Sequence, residues 1–592
     1  MIDGAPATRS TITVSDYIVR ALRGWGISHV FTLPGGLIAP IIDAIYRDGA
    51  IRLVNMHHEQ SVAFAVDGFG RFNGTPAVGL GTGPGATNLL TPITSSFLDS
   101  IPGVFITGQV QSYLVKGTRP VRQFGLQEAD ICAMAGPVTK GAWRARAAAD
   151  VPAILDDAVA LSLDGRPGPV LVELPSDLQT ARIPAEIEPQ LRPPSKPRMD
   201  DADAVISLFD ELSTAERPLV LIGGGVRAAR ATEACRTLLA CLDVPVIASV
   251  TALDVLDADD PLRLGLIGMY GNRWVNLAAM EADFVLVLGS KLDFGTIGAD
   301  VNAWGRGRTI YQVDCDPGEM SRIRTAHTIL SDLGEFCRLA LEVVRDHAPP
   351  TRPQWTERLG ELRQAWPDTN ELGDCDGINP NVLARELSAA SPAACDFVVD
   401  AGQHLWWTAQ SIQPRLGQRF LPSLGLGPCG YSLPAAIGVA LGSHRPVVVV
   451  VGDGAFQFNI QELQTVVRNR LPIKILLVDN QCHGSVRQFQ EEMLEGRYPT
   501  TVIDYDTPDF TRVADAYGIR SREVSDPDRV GEALSWFWED PMEAALLRVQ
   551  IPMLANVYPS VPFGAPLNAM AGRADLEPRS PLSRVDAVVQ GR

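Results

Sequence analysis

Residues 446–480 read PVVVVVGDGAFQFNIQELQTVVRNRLPIKILLVDN. The run from Pro446 to Val451 is unbroken apolar sequence rich in β-branched residues, the pattern of a strand buried on both faces of a parallel sheet. It ends at Gly452-Asp453-Gly454. The period then changes: Ile460, Leu463, Val466 and Val467 fall on one face of a predicted helix. Leu471-Pro472 ends that helix, and Ile473–Val478 forms a second strand running into Asp479-Asn480. The glycines let backbone amides approach an anion, and a helix N-terminus adds partial positive charge. Asp453 and Asn480 each lie just past the C-terminal end of a strand, where open parallel sheets place ligands. Both offer hard oxygen donors, which suit Mg²⁺ bridged to phosphate oxygens. A GDG tripeptide by itself is more often an ordinary tight turn. A second strand ending in Asn480, 27 positions after Asp453, adds a second oxygen donor at a strand end and makes the plain-turn reading less apt.

Outward from this stretch, short β-rich apolar runs alternate with helical periodicity along the chain, which predicts an α/β fold with parallel sheets. Near the start, Ser15 is placed to cap a helix whose Tyr17, Ile18, Ala21, Leu22 and Trp25 share a face. The run His29–Leu33 reads as a strand ending at Pro34-Gly35-Gly36, and Pro169–Leu174 as the strand that closes this block. Two stretches read as linkers: Ile183–Asp201, with five prolines, and Asp346–Pro380, polar and opening on Pro-Pro. Between them, Pro218–Ile222 runs into Gly223-Gly224-Gly225, followed by strands at Val244–Ala248, Asp283–Leu288 and Thr309–Asp314. The fold expected is three consecutive doubly wound parallel-sheet domains over residues 1–182, 202–345 and 378–555, with a polar tail at 556–592.

Composition bounds the function. The chain has 592 residues, 46% of them hydrophobic, too many for one core and consistent with three or four domains. A net charge of −18 argues against a nucleic-acid-binding face. No apolar run is long enough to span a bilayer, and the first residues lack the basic start and apolar stretch of an export signal. The nine cysteines are scattered and never form CxxC, which reads as reduced thiols in the cytoplasm rather than a disulfide frame or zinc site.

A strand–GDG–helix–strand–Asn pattern resembles that of thiamine-diphosphate enzymes. Members of that group activate the cofactor with a glutamate about 50 residues in, which hydrogen-bonds N1′ of the aminopyrimidine. Here Ile51–Val54 reads as a strand and precedes Asn55-Met56-His57-His58-Glu59-Gln60, similar to the group's HEQ turn, with an Ala/Gly-rich helix over Ser61–Arg71. Glu59 taken alone would more often be an exposed carboxylate at a helix start.

Over about residues 12–565 the chain resembles the acetolactate synthase (acetohydroxyacid synthase large subunit) branch of these enzymes. The resemblance is carried by Gly81-Thr82-Gly83-Pro84-Gly85-Ala86-Thr87-Asn88 through Leu98-Asp99-Ser100-Ile101-Pro102. It continues in Asp400-Ala401-Gly402-Gln403-His404, Leu424–Ala435 and Asn480–Arg497. It implies that Glu59 activates N1′ and that Asp453, Asn480 and the Cys482 carbonyl bind Mg²⁺. It assigns the diphosphate to Gln403, His404 and the Gly454-Ala455 backbone. Gly427 would offer its carbonyl to the aminopyrimidine, Cys429 would wedge the bent cofactor, and Gln127 would face the substrate. Gly223, Gly224, Gly225, Gly268-Met269-Tyr270-Gly271, Gly289 and Asp314 resemble FAD-contacting positions; the alternative is a flavin-free Rossmann-like domain. The resemblance further implies a homodimer or homotetramer in which the first domain of one subunit meets the last domain of another.

Four departures bear on substrate. Gly295, in Gly289-Ser290-Lys291-Leu292-Asp293-Phe294-Gly295, stands where the family has an arginine that grips the acceptor carboxylate, and a guanidinium is the natural bidentate clamp for that group. Lys291 or Arg273 can substitute for it. Phe489 replaces a tryptophan, Cys429 a methionine, and Leu126 an aromatic residue; for these three, ordinary core drift is the plainer reading. The segment Arg122-Gln123-Phe124-Gly125-Leu126-Gln127-Glu128 resembles a subgroup associated with polysaccharide and unusual-sugar pathways. The expectation is decarboxylation of a 2-oxo acid, pyruvate first, and transfer of the two-carbon unit to a ketone or keto-sugar. Two alternatives stay open: an acetolactate synthase condensing two pyruvates, and a non-catalytic regulatory subunit that binds thiamine diphosphate or FAD.

Overall fold

The computed structural model describes residues 10–195, 202–345, 350–368 and 375–572. Readings made on residues 1–9, on parts of both linkers and on 573–592 lie outside them. Among the described residues there are three sheets of six parallel strands and one two-stranded antiparallel pair. In spatial order the first sheet is Arg52–Asn55, His29–Thr32, Val78–Thr82, Gly103–Gln109, Pro169–Pro175 and Gly141–Arg144. The second is Arg263–Leu266, Val246–Ala248, Pro218–Ile222, Phe284–Leu288, Thr309–Asp314 and His327–Leu330. The third is Phe420–Pro422, Asp396–Val399, Val447–Gly452, Ile473–Asp479, Ala545–Gln550 and Arg520–Val524. The central strands Val447–Gly452 and Ile473–Asp479 are buried at every residue, as an apolar run covered on both faces must be.

Four local expectations are corrected. The first helix spans Val14–Gly24 and is capped by Thr13, whose Oγ1 accepts from Asp16 N at 3.1 Å; Ser15 lies inside it and donates to Gln179 O at 2.9 Å. The helix predicted after GDG is not continuous. Asp453–Phe456 passes into a 3₁₀ stretch, Gln457–Glu462, broken at the buried Asn459 (φ −133°), before Leu463–Asn469 resumes. Buried polar residues at Asn459 and Glu462 interrupt the apolar face that the periodicity suggested. The second linker contains a helix, Pro353–Ala365, which buries Trp355, Leu359 and Leu362 in the core under the second sheet. The polar tail begins later than 556, because Val561, Leu567 and Met570 are buried in that same core.

The described chain forms two compact units. Residues 10–195 with Ser423–His444 make the first, and the remainder the second. In the first unit, helices Glu59–Asn73 and Ser432–Ser443 pack at backbone contact. A Cβ at Gly68 would lie 2.1 Å from Ala435 O, and one at Gly438 would lie 2.0 Å from Ala65 O, so both positions require glycine. Beside this crossing, the buried Arg71 pairs with Asp67 and Asp99 at 2.9 Å each. Asp99 also accepts from Leu424 N at 3.2 Å and Gly425 N at 2.8 Å. That network fixes the start of the loop that carries Gly427 and Cys429.

Candidate active site

The candidate residues fall into an acid half-site in the first unit and an ion half-site in the second. Strand Arg52–Asn55 leads into a turn where His58 caps helix Glu59–Asn73, its Nδ1 accepting from Gln60 N at 3.0 Å. Glu59, the first helical residue, is 8% exposed, so the reading of a solvated helix-start carboxylate does not hold. Asn88 Nδ2 donates to Glu59 Oε2 at 3.0 Å. A Cβ at Gly85 would stand 2.0 Å from Glu59 Oε1. One motif residue therefore aims the carboxylate and another clears space for it. Gln127 is exposed with φ +70°, on a loop held by Glu128, which accepts from Lys116 N at 2.6 Å and Phe124 N at 2.9 Å. Gly427 (φ +66°) and the exposed Cys429 lie in this unit as well.

In the second unit Asp453 follows strand Val447–Gly452 directly, and Asn480 follows Ile473–Asp479. Asn480 Nδ2 donates to Gln403 Oε1 at 3.2 Å, and Cys482 N donates to Asn480 Oδ1 at 3.3 Å. Gln403 Nε2 in turn donates to Gln488 Oε1 at 2.9 Å. Glycine is required around this cluster: a Cβ at Gly484 would meet Gln403 Oε1 at 2.0 Å, and one at Gly454 would meet the His483 ring at 2.8 Å. Burial pulls His404 down to about 4, so its imidazole is neutral at pH 7. Its Nε2 is buried and has no hydrogen-bond partner among the described residues. Burial likewise pushes the Cys482 thiol up to about 12, and its Sγ donates to Met553 O at 3.5 Å.

These residues fit a divalent ion and a diphosphate. Asp453 is pushed up to about 7, first by burial and then by the charge of Asp479. Asp479 is paired with Arg548 at 2.6 Å. Among the described residues no basic side chain pairs with Asp453, so a cation would meet an unanswered buried charge. Among the described residues there is also no cluster of three or more His, Cys, Asp or Glu side chains able to hold a metal. An Asp, an Asn and a carbonyl leave the rest of an octahedron to phosphate and water, which is how Mg²⁺ is usually held. The orphaned His404 Nε2 would donate to a phosphate oxygen only when it carries a proton, and an anion there would favour that form.

The second sheet reverses strand order beside Pro218–Ile222, which lies between Val246–Ala248 and Phe284–Leu288. Nucleotides bind at such switch points. Gly225 N donates to Gly289 O at 2.9 Å, and a Cβ at Gly223 would lie 2.3 Å from Gly289 O. Gly223, Gly224, Gly225 and Gly289 thus line the strand ends with bare backbone. Asp314 ends the neighbouring strand and accepts from Asp316 N at 3.0 Å. Met269 is committed through its backbone: its N donates to Gly295 O at 2.9 Å and its O accepts from Val561 N at 2.8 Å.

The departures from the family pattern do not sit in a core. Leu126 is 86% and Phe489 55% exposed, and Cys429 is exposed, which removes core drift as their explanation. Arg273 is buried, and its Nη1 donates to Met570 O at 2.8 Å. Three contributors carried no sequence-based role: Asn88, although it ends the quoted glycine-rich stretch; Gln488; and Tyr505, which donates to Asp453 Oδ2 at 3.0 Å from a loop without periodicity.

Comparison with known proteins agrees with this layout. Models of the thiamine pyrophosphate enzymes match in three parts: the N-terminal TPP binding domain over residues 12–134, the central domain over 205–339 and the C-terminal TPP binding domain over 400–547. The acetolactate synthase isozyme 2 large subunit of Escherichia coli (strain K12) is 36% identical over 555 residues, covering 93% of this chain and 98% of its own. The acetolactate synthase large subunit of Lactococcus lactis subsp. lactis is 31% identical, covering 94% and 96%. That of Corynebacterium glutamicum is 33% identical, covering 95% and 90%. These matches give no support to the polysaccharide and unusual-sugar subgroup.

Proposed function

The chain belongs to the thiamine-pyrophosphate-dependent enzymes of the acetolactate synthase large-subunit family, and from that premise we propose that it decarboxylates pyruvate and joins the two-carbon unit to a second pyruvate, forming acetolactate. The observation that carries this reading is Glu59, a buried carboxylate aimed by Asn88 and given room by Gly85. A regulatory subunit without activity would have no need of it.

Thiamine diphosphate, when bound, supplies the nucleophilic carbon and the electron sink for loss of CO₂. Glu59 holds a proton at N1′ of the aminopyrimidine, and the Gly427 carbonyl accepts a hydrogen bond from the same ring. Asp453, Asn480 and the Cys482 carbonyl hold Mg²⁺. Gln403, the neutral His404 and the backbone at Gly454-Ala455 hold the diphosphate. Cys429 supports the bent cofactor, and Gln127 orients the substrate. Gly223–Gly225, Met269, Gly289 and Asp314 would hold FAD in a structural role. The protein acts in the cytoplasm as at least a homodimer, with the site shared between subunits.

One observation favours a second reading. Gly295 brings no cation to the position of the family's carboxylate clamp, and Arg273 is otherwise engaged. A ketone or keto-sugar acceptor fits that absence. The test feeds pyruvate, thiamine diphosphate and Mg²⁺ to the purified protein, with and without a panel of ketones. Acetolactate from pyruvate alone supports the first reading. A branched tertiary alcohol formed only with a ketone selects the second, and no CO₂ release under any condition overturns both. Flavin released on denaturation decides FAD separately.

A further inference from the structure

Tyr505 lies outside every motif that carries the proposed chemistry, 25 residues beyond Asn480. Its ring is 7% exposed, yet its hydroxyl donates to Oδ2 of Asp453 at 3.0 Å. The ring also packs edge-on against His483, with centroids 4.4 Å apart. His483 N donates to Thr501 O at 3.1 Å, tying the same loop to the turn after Asn480. The two side chains together cover the GDG turn: a Cβ at Gly454 would meet the His483 ring at 2.8 Å and Tyr505 Oη at 3.1 Å. The loop is bracketed by Thr500 (φ +63°) and Asp504 (φ +59°). A β-branched residue in the left-handed region persists only where surrounding contacts over-determine it. The contacts beside Thr500 are Gln490 Nε2 donating to Pro499 O at 3.2 Å and His483 N donating to Thr501 O at 3.1 Å.

A carboxylate that binds Mg²⁺ through one oxygen leaves the other free, and a donor on that second oxygen fixes the plane of the group. We propose that Tyr505 is a positioning residue of the metal site: its hydroxyl holds Oδ2 of Asp453, leaves Oδ1 for the divalent cation, and so sets the affinity for that cation. This rests on the reading of Asp453 as a Mg²⁺ ligand. Outer partners of metal ligands typically contribute 10–100-fold in metal affinity. Phenylalanine keeps the ring and its packing on His483 and removes only the donor.

The experiment strips the full-length protein of metal and titrates Mg²⁺ in the presence of thiamine diphosphate, following tryptophan fluorescence and, independently, the rise in melting temperature on binding. Tyr505→Phe is expected to raise the Mg²⁺ concentration for half-saturation by about 10-fold. The same variant should keep the melting temperature of the metal-free protein. Tyr498→Phe removes a buried phenol from the same loop without touching Asp453, and should leave half-saturation unchanged. Equal Mg²⁺ half-saturation in Tyr505→Phe and wild type overturns the proposal, as does an equal loss in Tyr498→Phe. Wild-type protein that binds thiamine diphosphate without any divalent ion overturns the underlying reading instead.

Discussion

The two half-sites place a carboxylate in opposite circumstances. Glu59 is buried but answered: Asn88 donates to it, Gly85 makes room for it, and a helix N-terminus lies behind it. Asp453 is, among the described residues, answered only by neutral donors, and burial first, then the charge of Asp479, pushes its pKa up to about 7. The first arrangement is complete within the protein and suits a group that must shift a proton in a fixed direction. On the proposed reading the second would be completed by a cation, because the cost of a buried carboxylate falls most when a positive charge shares the site. On that reading one half-site is preorganised by protein alone, and the other would couple its order to its ligand.

The largest effect should come from breaking the answered half. Glu59→Gln keeps shape and hydrogen bonding but cannot exchange a proton. Positioned acid–base groups contribute about 10²–10⁴-fold, so CO₂ release from pyruvate should fall by that order. Binding of thiamine diphosphate, read by fluorescence, should persist. Undiminished CO₂ release would remove Glu59 from the mechanism and with it the contrast drawn here.

Asp453→Asn should act the other way round. It removes an unpaired buried charge, so the metal-free protein should melt no lower than wild type. It should also abolish the rise in melting temperature that Mg²⁺ and thiamine diphosphate together produce. The loss of Mg²⁺ affinity should exceed the roughly 10–100-fold expected for outer partners such as Tyr505. A variant that melted well below wild type without metal would mean that Asp453 is already compensated, and the asymmetry would not stand.

How much was legible beforehand follows the same division between local and distant causes. Pro218–Ile222 and Thr309–Asp314 are strands at the predicted bounds, because an apolar β-branched run flanked by turns declares itself locally. Glu59, Asp453 and Asn480 were found because each sits at a strand or helix end next to a compact motif. Asn88 was quoted but given no role, since its contact with Glu59 spans 29 positions. Tyr505 reaches Asp453 across 52 positions from an irregular loop, and nothing in its neighbours marks it. The helix Pro353–Ala365 was missed because its polar face dominates the composition of a proline-containing stretch. Its three buried residues, Trp355, Leu359 and Leu362, do follow a helical period. The break at Asn459 was invisible, because the predicted apolar face, Ile460, Leu463, Val466 and Val467, begins only after it.

The smallest effect concerns His404, which shares the ion half-site yet behaves like the answered half, neutral and poised as a hydrogen-bond partner. Its folded-state pKa is drawn down to about 4 by burial, against an unfolded value near 6.5. For a histidine lowered in this way, the unfolded chain takes up the proton first as pH falls. Its contribution to stability is intact above pH 6.5 and is lost progressively between about 6.5 and 4. His404→Gln keeps a polar partner for phosphate and cannot titrate. Measured without metal or cofactor, its melting temperature should fall less steeply than wild type across that window, while the two curves should run parallel above pH 7. Parallel curves throughout would place the imidazole in contact with water or an anionic group. The orphaned Nε2 would then no longer be evidence that the site is shaped for a phosphate.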